Sequence, residues 1–277
     1  MDIKIRKVIR LLHREFDAFW GLILGGKSIR SARNQTQDIK LIISNFNDFA
    51  YSKESHFSKF LPISIYQRQN LKTCDLKVYQ DLFMYTFIVN NVKKGSRLLE
   101  IGGGESRIIS LLKQSYEIWN LDKLEGQGFG PKRLMDNSEF KLIKDFIGSF
   151  NKEIPDNYFD LVFSISTIEH IPDDEITVVN VLEDIRRILK PGGYSIHCID
   201  AFLFPDRFYV HPLVQKVLNE KKSFNDTLDF NLISTDLDLW VLPKFAYYTR
   251  WYHLTRQSIN DLGHPFSINV LWQEELN

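Results

Sequence analysis

The fold of this chain is decided by the ten residues RLLEIGGGES at positions 97–106. Residues 97–101 form a short apolar strand candidate, three glycines at 102–104 break it, and residues 107–114 have the pattern of a helix. Glycines after a first parallel strand let the backbone turn sharply and let a ligand approach with no Cβ in the way. The helix that follows offers unpaired N–H groups. The passage therefore predicts a ligand site at the first strand-to-helix turn of an α/β fold.

Four more strand candidates follow at 118–121, 140–143, 158–164 and 194–199. A helix candidate lies before the last of them, with Pro172 and Asp173 as its start signal and the sequence PGG at 191–193 as its end. Its apolar residues are predicted to share one face: Ile176, Val179, Leu182, Ile185 and Leu189. Strands that alternate with helices are typical of a parallel sheet covered on both faces.

Asp122 ends the second strand candidate, at the distance from the glycines where a carboxylate can accept both ribose hydroxyls of an adenine nucleoside. A nicotinamide dinucleotide would use the same two features. Two observations count against it. Glu100 inside the first strand would repel a pyrophosphate and favours a cationic ligand. A GxGxxG pattern would also need glycine at position 107, which is Arg107.

From residue 97 to residue 200 the chain resembles class I S-adenosylmethionine-dependent methyltransferases of the type that includes ubiquinone and small-molecule methylases. Besides EIGGG at 100–104 and Asp122, the resemblance rests on KDF at 144–146, DNYFDLV at 156–162, IEHI at 168–171 and LKPGGY at 189–194. It implies S-adenosylmethionine as the cofactor, with the acid of KDF at the adenine amino group and residues 164–166 under the methionine moiety. The implied cofactor-binding residues are Glu100, Gly102, Gly103, Gly104, Asp122, Asp145, Phe146, Ser164, Ile165 and Ser166.

Methyl transfer from a sulfonium is an in-line displacement that needs alignment and no metal ion, and we predict no metal site. A hydroxyl acceptor benefits from a general base. The candidates are His170, just after the fourth strand, and Asp200, at the end of the fifth. For His170 a structural or cofactor-side role is the alternative, and His197 is predicted to be a core or lining residue.

Three regions of the chain differ in their pattern of apolar, polar and aromatic residues. Residues 1–92 are predicted to be a helical extension, with helices over about 5–23 and 75–92 and a loop at 52–74; residues 93–200 are the cofactor-binding core. Residues 201–277 are rich in aromatic side chains and are predicted to complete the sheet and shape the acceptor pocket. The predicted fold class is α/β, a Rossmann-like, doubly wound, mostly parallel seven-stranded sheet with an N-terminal helical extension.

The charge of the chain is balanced. Its 277 residues carry 35 Lys+Arg and 35 Asp+Glu, so a bulk nucleic-acid binder is excluded. Residues 1–33 nevertheless hold eight basic and three acidic side chains, a formal charge of +5. This basic amphipathic segment predicts peripheral membrane contact through residues 1–24 or packing on the domain or on a homodimer partner. Two cysteines are too few for a disulfide scaffold, and no apolar run reaches the length of a membrane span, which together favour the cytoplasm.

The sequence therefore predicts an enzyme that moves a methyl group from S-adenosylmethionine to a small-molecule or glycan acceptor, on a hydroxyl group. HCID at 197–200 and YYTR at 247–250 resemble methyltransferases of bacterial surface-glycan synthesis, which favours a sugar acceptor. The alternatives are an NAD(P)-dependent oxidoreductase and a methyltransferase-like binding module without activity.

Overall fold

A seven-stranded sheet forms the centre of the molecule. The computed structural model describes residues 46–66, 69–126, 131–132, 140–219 and 229–274. Strands β1 to β5 pair in parallel in the order β3-β2-β1-β4-β5, while β6 and β7 are both antiparallel to β5. The predicted seven-stranded, mostly parallel sheet is confirmed. The strands are β1 (Arg97–Ile101), β2 (Glu117–Leu121), β3 (Lys141–Ile143), β4 (Phe159–Ile165), β5 (Leu189–Leu203), β6 (Phe208–Tyr209) and β7 (His264–Gln273).

Helices cover both faces of this sheet. Successive strand residues point to opposite faces, so Leu98 belongs to one buried cluster and Leu99 to the other. The first cluster contains residues of α1 and α2, and the second contains residues of α3 and α4. The longer helices are α1 (Leu76–Asn91), α2 (Arg107–Leu112), α3 (Glu175–Ile188), α4 (Pro212–Asn219) and α5 (Phe230–Thr235).

Shorter helical turns complete the described chain. They are 3-10 turns at Phe46–Phe49, Glu54–Ser58 and Ile168–His170, α-helical turns at Lys244–Ala246, Tyr252–Thr255 and Ile259–Leu262, and a π-helical turn at Tyr247–Trp251.

Side-chain caps fix where α1, α2 and α3 start. The Asp75 carboxylate accepts a hydrogen bond from the Lys77 amide, and Ser106 Oγ accepts from the amides of residues 108 and 109. Asp174 likewise accepts from the Thr177 amide, so α3 starts after Asp174. Each cap satisfies backbone donors that have no partner inside the helix.

The buried face of α3 differs from the predicted one. Ile176 is 73% exposed, and the residues that face the core are Val178, Val181, Leu182, Ile185 and Ile188. Ile176 lies in the first turn of α3, and Leu189, which was predicted on the same helix face, is the first residue of β5.

Strand β5 is longer than the sequence pattern indicated. It begins at Leu189, directly after α3, and runs to Leu203, so residue 200 lies inside it. The PGG sequence at 191–193 lies within the strand, because the Gly192 amide donates to the Glu274 carbonyl and the Glu274 amide to the Gly193 carbonyl. These bonds come from the opposite end of the chain, which no local pattern reveals.

The described part of the N-terminal extension packs into the same core as α1. The predicted helix at 75–92 is observed as α1, and the predicted loop at 52–74 contains the 3-10 turn Glu54–Ser58. The Ser52 amide donates to the Ser267 carbonyl on β7, and the Tyr79 ring stacks on Trp240 at 5.1 Å. The predicted first helix at 5–23 lies outside the described residues. No helix within the described ranges combines the length and the apolar character that a membrane span needs.

Candidate cofactor and acceptor site

The turn after β1 can be formed only by glycine. Gly102 and Gly104 have φ of +66° and +50°, in the left-handed region that other residues rarely adopt. A Cβ on Gly102 would lie 2.2 Å from Thr167 Cγ2, and one on Gly103 would lie 2.7 Å from Asn120 Oδ1. The turn therefore presents bare backbone at the carboxyl edge of the sheet, where ligands bind in open α/β folds.

Glu100 lies under this turn with an unsatisfied carboxylate. Its side chain is buried and its Oε2 atom has no hydrogen-bond partner; the same is true of Asn120 Oδ1. Burial raises the pKa of Glu100 to about 8, against the opposing effects of the Ser106 hydroxyl and Arg107. The Arg107 guanidinium is already paired with Asp81 at 2.5 Å. A buried carboxylate without a partner fits a site for a cationic group.

Asp122 holds the glycine turn in place from the end of β2. Its Oδ2 accepts a hydrogen bond from the Gly104 amide at 2.8 Å, and its Oδ1 accepts from the Leu124 amide at 2.6 Å. Each carboxylate oxygen can accept more than one hydrogen bond, so Asp122 retains capacity for a pair of ribose hydroxyls.

Asp145 and Phe146 follow β3 at the same edge of the sheet. Although burial alone would raise the pKa of Asp145, hydrogen bonds from the Asn151 side chain and the Phe146 amide lower it, so the carboxylate is ionised. The Phe146 ring is 49% exposed, with Lys123 Nζ 4.5 Å from its centroid. An exposed ring beside an ionised acceptor offers the stacking surface and the hydrogen-bond acceptor that an adenine requires.

A second polar cluster lies beside the end of β4, where Ser166 meets Asp200 of β5 and Gln80 of α1. Ser166 Oγ is 2.6 Å from both Gln80 Oε1 and Asp200 Oδ1, and Gln80 Nε2 donates to Asp200 Oδ1 at 2.8 Å. All three side chains are buried. Thr167 connects this cluster to the glycine turn, because its hydroxyl lies 3.4 Å from the Gly102 carbonyl oxygen. The two polar groups of residues thus belong to one site.

Glu169 and His170 follow Thr167 in the 3-10 turn Ile168–His170. Both carboxylate oxygens of Glu169 are shielded from solvent and have no hydrogen-bond partner. Burial and the nearby Asp200 raise the pKa of Glu169 well above its ordinary value, with Lys77 acting in the opposite direction. The His170 side chain is partly exposed. Its pKa is lowered first by loss of hydration and then by the positive charge of Lys77.

Ser164 and His197 form a buried pair below the site. Ser164 Oγ lies 2.7 Å from His197 Nδ1, and Ser195 Oγ lies 2.8 Å from His197 Nε2. Burial lowers the pKa of His197 to about 3, so this imidazole stays neutral. His197 is a core residue, as the sequence predicted.

Comparison with known proteins identifies the central part of the chain. The family described as "Methyltransferase domain" matches residues 99–197. Residues 99–197 therefore form a methyltransferase domain. The glycine turn is therefore a methyltransferase motif and not that of a nicotinamide-dependent oxidoreductase.

The curated relatives of the methyltransferase domain are longer proteins. Sterol 24-C-methyltransferase erg6 of Aspergillus fumigatus is 30% identical over 115 residues, which is 37% of this chain and 27% of that protein. Sterol 24-C-methyltransferase of Yarrowia lipolytica is 22% identical over 165 residues, which is 55% of this chain and 38% of that protein. The matched regions thus span well under half the length of either relative.

Two solved structures are also similar to the chain around the methyltransferase domain. Haemonchus contortus phospholethanolamine N-methyltransferase 2, in complex with phosphomonomethylethanolamine and S-adenosylhomocysteine, has 16% identity and a TM-score of 0.46, covering 70% of this chain and 52% of that one. The N-methyltransferase NodS of Bradyrhizobium japonicum, in complex with S-adenosylhomocysteine, has 11% identity and a TM-score of 0.43, covering 72% and 87%.

The methyltransferase domain brings most of the sequence-predicted site residues to one edge of the sheet. The glycine turn follows β1, Asp122 follows β2, Asp145 follows β3, and Ser166 follows β4. Ser164 is an exception, since its hydroxyl is committed to His197. In the described residues no group of three or more His, Cys, Asp or Glu side chains is arranged to hold a metal ion.

Sequence reasoning missed three polar residues of this edge: Gln80, Asn120 and Glu169. Gln80 gives a recognisable signal, because it is a polar residue between the apolar positions Tyr79 and Leu82 of an otherwise apolar helix face. Glu169 gives none, because the loss of hydration that makes it unusual depends on how the chain packs around it.

Proposed function

We propose that this protein transfers a methyl group from S-adenosylmethionine to a hydroxyl group of a small-molecule or glycan acceptor. The observation that carries the proposal is the buried Glu100 carboxylate, with one oxygen unpartnered, directly under a turn made of three glycines. S-adenosylmethionine carries an ammonium group and a sulfonium group, which are the positive charges that such a carboxylate would stabilise.

Three other residues at this edge of the sheet support one orientation of the cofactor's adenosine part. Asp122 would accept hydrogen bonds from the ribose, Asp145 would accept one from the adenine amino group, and the exposed Phe146 ring would pack on the base. When bound, the cofactor supplies a methyl group activated by the sulfonium charge. The chain then has to align an acceptor with it and exclude water.

The acceptor side supports a hydroxyl substrate that loses its proton on methylation. Asp200 belongs to the polar cluster with Ser166, next to Thr167 at the glycine turn, and a carboxylate is a suitable proton acceptor for a hydroxyl group. Near them Phe202 contacts Tyr209 and Trp251, with ring centroids 6.5 and 6.4 Å apart. Aromatic side chains of this kind stack on the apolar faces of sugars and rings.

Calorimetry with S-adenosylhomocysteine tests the cofactor site. We expect the intact protein to bind it and Asp122→Ala to weaken binding at least tenfold, because the substitution removes a charged hydrogen-bond acceptor and loosens the glycine turn. Glu153→Ala is the matched control, since Glu153 is an exposed acid away from the turn. An intact protein that shows no binding, or an Asp122→Ala variant that binds as tightly as wild type, contradicts the proposal.

An acceptor panel tests the second half of the proposal. S-adenosylhomocysteine formation is measured with sugar and phenol hydroxyls, amines and thiols. Turnover confined to hydroxyl compounds is expected. Turnover confined to amines or thiols would contradict the acceptor assignment, and cofactor binding without turnover on any member would favour a binding module.

A further inference from the structure

An arginine that is held through one of its nitrogens borders the glycine turn. Arg107 is the first residue of α2, directly after the cap residue Ser106, and its Nε donates to Asp81 Oδ2 at 2.5 Å. The Tyr66 hydroxyl donates to the same oxygen of the buried Asp81. The Arg107 guanidinium also lies over the Tyr66 ring, 5.9 Å from its centroid. These contacts fix the position of the guanidinium beside the turn.

The bond to Asp81 uses only part of what Arg107 can donate. A guanidinium carries N–H donors on all of its nitrogens, arranged in a planar fork. Asp81 takes the donor on Nε, which leaves those on the two terminal nitrogens. The Arg107 side chain is 43% exposed and that of Asp81 is 3% exposed, so the arginine end of the ion pair is open to a ligand. Terminal guanidinium nitrogens bind a carboxylate through two parallel hydrogen bonds.

Glu100 lies within electrostatic reach of this arginine. Burial has the largest effect on the pKa of Glu100 and raises it, and the charges of Asp81 and Asp122 act in the same direction. The Ser106 hydroxyl and the positive charge of Arg107 lower it. An unpartnered carboxylate oxygen and an accessible guanidinium therefore lie at the same turn.

This pair of opposite charges matches the amino-acid end of the cofactor. The methionine part of S-adenosylmethionine carries an ammonium group and a carboxylate on one carbon atom. When Glu100 holds the ammonium group, the carboxylate of the ligand comes close to the acids of the site. Burying that carboxylate without a cation beside it would be costly, so the site needs a positive group next to Glu100.

Resting on the proposed function, we propose that Arg107 binds the carboxylate of the cofactor's methionine part while Glu100 binds its ammonium group. Asp81 and Tyr66 hold the guanidinium in place for this contact. Both lie before residue 99, outside the matched methyltransferase domain. The N-terminal extension therefore contributes to cofactor binding, in addition to packing into the core.

Removal of the carboxylate from the ligand tests this assignment. The two ligands are S-adenosylhomocysteine and its decarboxylated form, in which a hydrogen atom replaces the carboxylate. The measurement is the ratio of their dissociation constants, determined by calorimetry at neutral pH. Both ligands keep the adenosine, the sulfur and the ammonium group, so effects on these parts cancel in the ratio.

Wild type is expected to prefer S-adenosylhomocysteine by at least about tenfold, and Arg107→Gln to reduce this preference by about tenfold. Glu100→Gln is expected to weaken the binding of both ligands without lowering the preference, because both keep the ammonium group. Arg97→Gln is the matched control. Arg97 is likewise paired with a carboxylate, that of Glu117, and its side chain is 41% exposed, but it lies at the other end of β1.

A double variant covers the case in which Arg107→Gln does not fold. Loss of Arg107 alone leaves the buried Asp81 carboxylate without its cation, which is destabilising. Arg107→Gln combined with Asp81→Asn removes both charges of the pair and keeps the net charge of the site. This variant is expected to show the same reduced preference, and thermal unfolding shows that each variant is folded.

Three results would overturn the inference. The first is a wild-type protein that binds both ligands equally well. The second is a wild-type preference that persists in Arg107→Gln or in the double variant. The third is an equal loss of preference in Arg97→Gln, which would indicate a general effect of charge. In each of them the wild-type protein still binds S-adenosylhomocysteine, whereas failure of the proposed function removes that binding itself.

Discussion

At the scale of single residues, Glu100 combines a binding role with a cost to stability. Its pKa is raised to about 8 in the folded protein, above the ordinary value of 4.5. Above pH 4.5 the unfolded state releases the Glu100 proton, whereas the folded state keeps it up to a pH of about 8. The stability that protonated Glu100 contributes is therefore fully present below pH 4.5 and is lost as the pH rises from there through 8. A carboxylate that opposes folding at neutral pH is expected where a cationic ligand restores the balance.

The substitution Glu100→Gln separates these two effects. We expect it to raise the free energy of unfolding of the ligand-free protein at pH 8 by roughly 1–3 kcal/mol, because the neutral amide has no charge to bury. The same variant should bind S-adenosylhomocysteine at least tenfold more weakly. Urea denaturation and calorimetry measure the two quantities. A variant that is less stable at pH 8 and binds normally would show that Glu100 is a structural residue.

The residues that sequence reasoning could predict are those whose chemistry follows from position along the chain. Glu100 lies near the end of β1 and Asp122 directly follows β2, both beside the glycine turn, and local sequence is enough to place them at the carboxyl edge. Glu169 and Gln80 could not be assigned a role, because they meet Asp200 only when α1 and β5 pack against the end of β4.

At the scale of the elements, the parallel strands were predictable and their ends were not. Strands β1 to β4 contain short apolar runs separated by turns and helices, and this alternation is enough to indicate a parallel sheet. The ends of β5 depend on β7, which pairs with it over ten positions from Tyr194 to Leu203. The buried face of α3 depends on the Asp174 cap, which sets the first turn of that helix.

His197 in β5 predicts how the sheet responds to acid. Its pKa is lowered to about 3 when folded, whereas an unfolded histidine titrates near 6.5. Only the unfolded state gains a proton between these values, so the stability that His197 contributes is lost as the pH falls below 6.5. The difference in unfolding free energy between wild type and His197→Gln should therefore shrink by about 2 kcal/mol between pH 7.5 and 5.

Urea denaturation of both proteins across this pH range measures the difference. A difference that stays constant would mean that His197 titrates equally in both states. If His197→Gln does not fold, His197→Asn provides the same comparison with a shorter side chain.

At the scale of the whole molecule, the neutral total charge conceals a basic N-terminal segment. Residues 1–33 carry a formal charge of +5, which leaves −5 for residues 34–277. We propose that residues 1–24 contact an anionic membrane surface, as would suit a lipid-linked acceptor. Flotation with anionic vesicles should recover more of the full chain than of a chain that lacks residues 1–26. Equal recovery of the two proteins would contradict membrane contact.

Long-range pairing limits what could be predicted at this scale. Tyr51 bridges to Ile268, and the Trp240 amide donates to the Ser52 carbonyl, so the two terminal regions of the described chain meet beside the central sheet. The sequence indicates that both regions are apolar enough to be buried, but no spacing along the chain indicates that they are neighbours.

The long strand β5 has a practical consequence for protein fragments. The methyltransferase match ends at residue 197, in the middle of that strand. The backbone N–H and C=O groups on the other edge of β5 pair with β7, which begins only at residue 264. A fragment cut near residue 200 would keep every cofactor motif yet expose a bare, apolar strand edge, which is a template for aggregation. An expression fragment that stays soluble should therefore extend through residue 274, far past the last recognisable motif.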